Sequence, residues 1–188
     1  MCGNAKNYVF FKKNNKYTIC SSSAGFSLIE LMITIVVMTI LLAVAIPSMQ
    51  SFIAQNRLSG NANEFIAATM LARSEAIKRG GAVKICRSVS ADVSSTITCD
   101  TSDNDWKTGW LVLVENSSDS TKNEVLARQG TLVVGTTVTP TSTATTPTSI
   151  VYNAMGAPTQ APPSTFAFAF NGQSRSVCFD PSGRARAC

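Results

Sequence analysis

The residues best equipped for chemistry lie at the two ends of the sequence. Near the C-terminus, "SGRARAC" sets Arg184 and Arg186 two positions apart, so an extended backbone turns both to one face. Arg175 stands shortly before them. Guanidinium groups grip phosphate oxygens bidentately, and fixing them in a constrained loop lowers the entropy lost on binding. A bridge between Cys178 and Cys188 would make such a loop. Neutralising three phosphates gives a log–log salt slope of only about −2.7, so one copy would bind weakly. Several copies would add avidity. Lys84 and Arg87 flank Cys86 and would extend the basic patch if their strand lies beside the tail. The bland alternative is a solvated charged loop.

At the other end, "AGFSLIELMIT" (24–34) carries one carboxylate, Glu30, inside an apolar run. An isolated acid in hydrocarbon is costly and usually faces a partner. The bland alternative is an acid that snorkels to the interface from near one end of the span.

Other chemistries are poorly served. The chain has no histidine, which removes histidine-based triads and histidine metal sites. "GNANEF" and "GGAVK" lack the pattern of a phosphate-binding glycine loop. Asp92, Asp100, Asp103 and Asp105 make the stretch around Cys99 acidic, which opposes DNA contact there, and their spacing fits no EF-hand. Trp106 and Trp110 could stack on bases, but Trp110 opens an apolar strand and reads as core. We expect no catalysis, no cofactor and no metal.

The elements that must position these groups follow from charge and periodicity. The 188 residues carry a formal charge of +5. Four lysines (Lys6, Lys12, Lys13 and Lys16) fall in the first 25 residues, which hold no acid. The remainder is nearly neutral, so the body is not a broadly cationic nucleic-acid binder. From Phe26 to Ile46 the only charge is Glu30. About 20 helical residues span a bilayer core. The positive-inside rule places the N-terminus in the cytoplasm and the rest outside. Residues 1–25 read as a targeting segment whose only small-residue junction, "SSSAG", precedes the apolar run, so the run is kept.

Beyond Pro47, Leu58, Ala62, Phe65, Ala72 and Ala76 recur at helical steps, with Ile66 and Ile77 beside them. Gly80 and Gly81 stop the pattern. The expectation is one long helix from Phe26 to Arg79, kinked at Pro47 and loosened at Gly60. After Gly81 the segments "AVKICRS", "GWLVLVE", "EVLARQ", "TLVVGTTV", "SIVYN", "TFAFAF" and "SRSVCFD" read as strands. The second half of the threonine-rich stretch 131–148 reads as an irregular loop. The fold class is α+β, with the amphipathic helix packed on an antiparallel β-rich head.

Four cysteines outside the leader, Cys86, Cys99, Cys178 and Cys188, suggest disulfides in an exported domain and allow three pairings. The sequence-local pairs Cys86–Cys99 and Cys178–Cys188 are favoured, since short loops close at the least entropy cost. A four-cysteine zinc site is the rival, but its ligands usually stand two to four residues apart.

"AGFSLIELMITIVVMTILLAVAIPSMQSF" resembles the N-terminus of type IV pilins and pseudopilins, with Gly25 before the cut, Phe26 after it, Glu30 at the fifth position and Pro47 later. "ARSEAIKRG", "GWLVLVE" and "VCFDPSGRARAC" resemble the FimT/GspH branch of minor pilin-like proteins. The resemblance implies a prepilin peptidase/N-methyltransferase that cuts after Gly25 and methylates Phe26. It implies a leader (1–25), a membrane and filament-core helix (26–47), an amphipathic extension (48–80) and a periplasmic head (81–188). It further implies single-pass anchoring in the bacterial inner membrane, then assembly with other pilins at or near a filament tip. Glu30 would pair with the Phe26 amine of a neighbouring subunit. In the FimT branch a "GRxR" tail contacts double-stranded DNA, without sequence preference, for uptake in natural transformation. Gly183, Arg184, Ala185 and Arg186 match it, with Arg175 beside them. The competing expectations are a structural minor pilin or type II secretion pseudopilin that binds no DNA, and a surface adhesin using the threonine-rich loop.

Overall fold

The computed structural model describes residues 11–13, 16–18, 25–89, 91–92, 98–115, 123–141 and 148–188. The chain forms two compact units, Met1–Ile46 and Pro47–Cys188.

In the first unit, β1 (Phe11–Lys13) pairs antiparallel with β2 (Lys16–Thr18). The helix α1 (Leu28–Arg79) starts here. Ser27 caps it: the Glu30 amide donates to Ser27 Oγ at 3.2 Å, satisfying one of the donors every helix start leaves open. Residues 25–46 are exposed throughout. The helix includes an 18-residue window of mean hydropathy 2.7, none of it buried, which is long and apolar enough to cross a bilayer.

In the second unit, α1 buries one stripe. Ala54, Leu58, Ala62, Phe65, Ala68, Ala72 and Ala76 all lie in the core. These steps of three and four keep one face inward, and the run of alanines lets the strands approach closely. Ile77, expected beside the stripe, is instead 53 % exposed. The helix stops where Gly80 takes φ 61°. The Gly81 amide donates to Ala76 O and the Gly80 amide to Ile77 O, the paired bonds of a glycine-ended helix.

Two four-stranded antiparallel sheets receive the stripe. One has the order β5 (Glu124–Gln129), β4 (Trp110–Val114), β3 (Val83–Arg87), β7 (Ser149–Tyr152). The other runs β10 (Ala185–Ala187), β9 (Gln173–Phe179), β8 (Thr165–Phe170), β6 (Thr137–Thr141). Phe166 and Phe168 alternate inward along β8, as a half-buried strand requires. They meet Phe65 with ring centroids at 4.5 and 5.8 Å. Trp106 and Trp110 meet the same ring edge-on at 5.7 and 5.2 Å, so both indoles are core residues and neither can stack on a base.

The strand expected over 131–138 begins six residues later. Gly135 adopts φ 90° and the Thr136 amide donates to Val133 O, turning the chain and leaving Val134 94 % exposed. The strand after this turn, β6, contains Pro140, which a sheet tolerates because β6 is an edge strand. The irregular loop expected after it falls at 142–147, outside the described residues.

Candidate functional site

The C-terminal tail is built as a second hairpin arm. After β9 the chain turns at Asp180, whose Oδ1 accepts from the Ser182 amide at 3.1 Å, Ser182 Oγ at 2.6 Å and the Arg184 amide at 3.0 Å. The Ser182 hydroxyl is the main cause that holds the Asp180 carboxyl below its ordinary range, and the Arg184 amide adds to it. The returning chain pairs with β9, setting Ala185 opposite Phe179, Arg186 opposite Cys178 and Ala187 opposite Val177. The Cys178–Cys188 disulfide joins the two arms at a Cα–Cα distance of 5.8 Å. A second disulfide, Cys86–Cys99, ties β3 to the acidic stretch at 5.6 Å.

Strand alternation then sorts the tail side chains. Ala185 is buried, and Arg184 and Arg186 on either side of it are exposed. Gly183 sets the elbow before them. It adopts φ 78°, which L side chains rarely take. Its carbonyl accepts from the buried Tyr152 hydroxyl at 2.8 Å, so β7 of one sheet pins the tail of the other. Burial pushes the Tyr152 hydroxyl up to about 12, which keeps it a donor.

A Cβ added at Gly183 would lie 2.7 Å from Pro158 Cδ and 3.0 Å from Tyr152 Cε1. Gly183→Ala should therefore cost about 2 kcal/mol through backbone strain and displacement of the elbow. A thermal melt should show a fall of roughly 4–8 °C. An unchanged melting temperature would mean the elbow tolerates a side chain.

The other expected members of the patch do not join it. Arg175 lies on β9 opposite Phe168 and lines a separate recess with Gln55, Asn56 and Ser59 of α1. Arg184 instead lines a different recess, together with Thr69, Arg73 and Ile77 of α1. These two stations on the helix are on the order of 20 Å apart at 1.5 Å per residue. The strand period separately parts Arg175 from Arg186, because Arg175 shares the face of Val177, whereas Arg186 shares that of Cys178.

Arg87 is only 3 % exposed. It donates to the Asp105 carbonyl at 2.8 Å and to the Asp100 carboxylate, so the acidic stretch is folded around it. Lys84 pairs with Glu115 at 2.7 Å. Neither is part of an anion-binding surface.

Ion pairs neutralise only some of the described cations of the head. Lys78 and Arg79 share Glu75, Arg79 also binds Glu124, and Lys107 pairs with Asp105. Among the described residues of the second unit, Arg57, Arg73, Arg128, Arg175, Arg184 and Arg186 have no salt bridge. Arg57 lies over the Phe170 ring at 5.8 Å.

A long capped helix with an exposed apolar start and a head of two antiparallel sheets is a recognisable construction. Residues 61–183 match the family model described as type II transport protein GspH. The chain belongs to the GspH family. Residues 20–46 match the prokaryotic N-terminal methylation motif, which marks GspH-type chains as prepilin peptidase substrates that assemble with other pilins. Crystal structures of the Pseudomonas aeruginosa (strain PAO1) type IV minor pilin FimU share the fold. One crystal form aligns with a TM-score of 0.53 at 23 % identity, over 73 % of this chain and 92 % of that one. The second gives 0.52 at 22 %, over 70 % and 92 %. No curated protein sequence matches significantly. This GspH-family protein is thus a type IV pilin-like structural subunit, of minor pilin or pseudopilin type, and not an enzyme.

Two features escaped the sequence reading. Ser27 and Glu30 stand at the spacing of a helix capping box, a signal present in "SLIE". Arg73 carried no local signal, because its nearness to the tail is a property of the fold.

Proposed function

We propose that this GspH-family subunit is cut after Gly25, methylated on Phe26, and assembled into or at the tip of a type IV filament, where its tail binds DNA for uptake. Residues 1–25 are the leader, 26–47 the inner-membrane and filament-core helix with its N-terminus cytoplasmic, 48–80 the extension and 81–188 the periplasmic head. Glu30 serves assembly. Arg184 and Arg186, set by Gly183, contact phosphates. The observation that carries the DNA reading is this pair: two exposed guanidiniums without an ion pair, held on the returning arm of a hairpin closed by a disulfide and pinned by Tyr152. Preorganisation of this kind lowers the entropy lost on binding. With Arg175 elsewhere, the salt slope for duplex DNA falls to about −1.8.

The test is Arg184→Gln with Arg186→Gln. Duplex retention in a gel shift and transformation frequency should both drop, with the melting temperature unchanged. Losing two charged contacts predicts a fall in affinity of about a hundredfold. Unchanged DNA binding ends this reading. The matched family description, type II transport, favours a second reading in which the protein is a pseudopilin of a secretion machine. There the same double variant leaves export intact, while deletion of the protein abolishes it.

A further inference from the structure

A cavity of about 230 Å³ opens between α1 and the tail, lined among others by Thr69, Met70, Arg73, Ile77 and Arg184. It combines two properties. First, it gathers two cations, Arg73 and Arg184, that have no salt bridge. Asp180, the acid nearest to Arg184 in the sequence, makes no salt bridge with it; its Oδ1 is engaged by Ser182 and the Arg184 amide, and the two charges attract only at longer range. Second, its apolar wall is open to solvent, with Met70 54 % and Ile77 53 % exposed.

Both walls are held in place. Gly156, at φ 72°, packs so close to α1 that a Cβ there would lie 2.7 Å from Ile77 Cδ1 and 3.1 Å from Arg73 Cγ. On the other side, the Gly183–Tyr152 bond fixes the start of the tail. A drug-sized ligand needs a cavity of about 300–1,000 Å³, so this smaller one fits a single residue-sized group.

Resting on the DNA reading above, we infer that this cavity takes one nucleotide of a DNA strand, with its phosphate between Arg73 and Arg184 and its base against Met70 and Ile77. A phosphate offers enough acceptor oxygens for two guanidiniums at once. A thioether makes favourable contacts with aromatic ring edges, and guanidinium planes stack on bases. Arg186 lies on β10, two positions after Arg184, so the neighbouring phosphate has a cation as well. In a closed duplex the base is stacked and paired, and extracting it costs energy. The site therefore prefers single strands and frayed ends to intact duplex.

The test uses the full chain in detergent micelles, with fluorescence anisotropy of a labelled oligo-dT strand and of a duplex of equal length. The strand should bind more tightly than the duplex. Arg73→Gln should weaken the strand about tenfold, the scale of one charged contact, Met70→Ser should weaken it about fivefold through the lost apolar contact, and both should leave the duplex within about twofold. Met70 is exposed, so its replacement preserves the fold even if Arg73→Gln does not. If both variants bind the strand as the parent does while the Arg184/Arg186 double variant still loses duplex, the cavity assignment is wrong and the DNA reading stands. If the parent binds neither nucleic acid, the DNA reading itself is wrong and this inference falls with it. If the two variants lose co-assembly with other pilins and keep strand binding, the cavity belongs to a protein neighbour and the assignment is overturned.

Discussion

Replacing Phe65 by alanine should destabilise the head by about 3–5 kcal/mol, the range for removing a buried aromatic. Phe65 is fully buried and touches Trp106, Trp110, Phe166, Phe168 and Phe179 with centroids between 4.5 and 6.3 Å. These rings come from α1, both sheets and the turn Trp106–Thr108. The cavity left by alanine would thus open where every layer meets, and backbone on several sides would have to move to fill it. Edge-to-face packing contributes beyond area, and is lost as well. Against a net stability of about 5–15 kcal/mol, the loss is a large fraction of the total. The melting temperature of the full chain should fall by on the order of 10 °C. Phe52→Ala is the control, since that ring is exposed on the same helix. If Phe65→Ala melts no earlier than Phe52→Ala, the aromatic cluster is not the centre of the core.

The second large effect concerns assembly. Glu30→Val should leave membrane insertion intact and remove the subunit from filaments. Glu30 is the only charge between Phe26 and Ile46, and the segment is exposed along its length. Among the described residues nothing in the chain holds its carboxylate, since the helix cap uses the Glu30 amide and Ser27 Oγ. A carboxylate so placed needs a partner from outside when the apolar helices bundle. The amine exposed at Phe26 by processing is that partner in the reading proposed above. Breaking a desolvated ion pair costs about 3 kcal/mol or more, roughly a hundredfold in association. Quantitative immunoblots of sheared filaments against membranes would measure it. Incorporation of the valine variant at parental levels would remove Glu30 from assembly and leave only its part in the helix start.

Much of the architecture was legible because it is written in local spacing. The stripe from Leu58 to Ala76 names the buried face of α1, and Gly80–Gly81 names its end. The alternation in "TFAFAF" names the inner face of β8. Such patterns involve neighbours a few residues apart, where backbone geometry alone decides direction. The N-terminal motif was legible for the same reason, as fixed offsets within an apolar run.

The candidate site was less legible, because its geometry depends on contacts between distant parts of the chain. Tyr152 and Gly183, which fix the tail, are separated by 31 positions. Arg87 looked available beside Cys86 until Asp100 and the Asp105 carbonyl, 13 and 18 positions on, folded over it. Arg175 looked adjacent to Arg184 and Arg186, yet strand parity and the two stations on α1 part them. Arg73 looked like one more helix charge, and packing brought it to the tail. The amino-acid sequence by itself determined the long helix, most of the strands and which faces are apolar, since those depend on period, while the turn at Gly135 displaced one strand. Only the tertiary structure decided which cations are neutralised and which stand together, since a charge's partners are chosen by how sheets and helix stack.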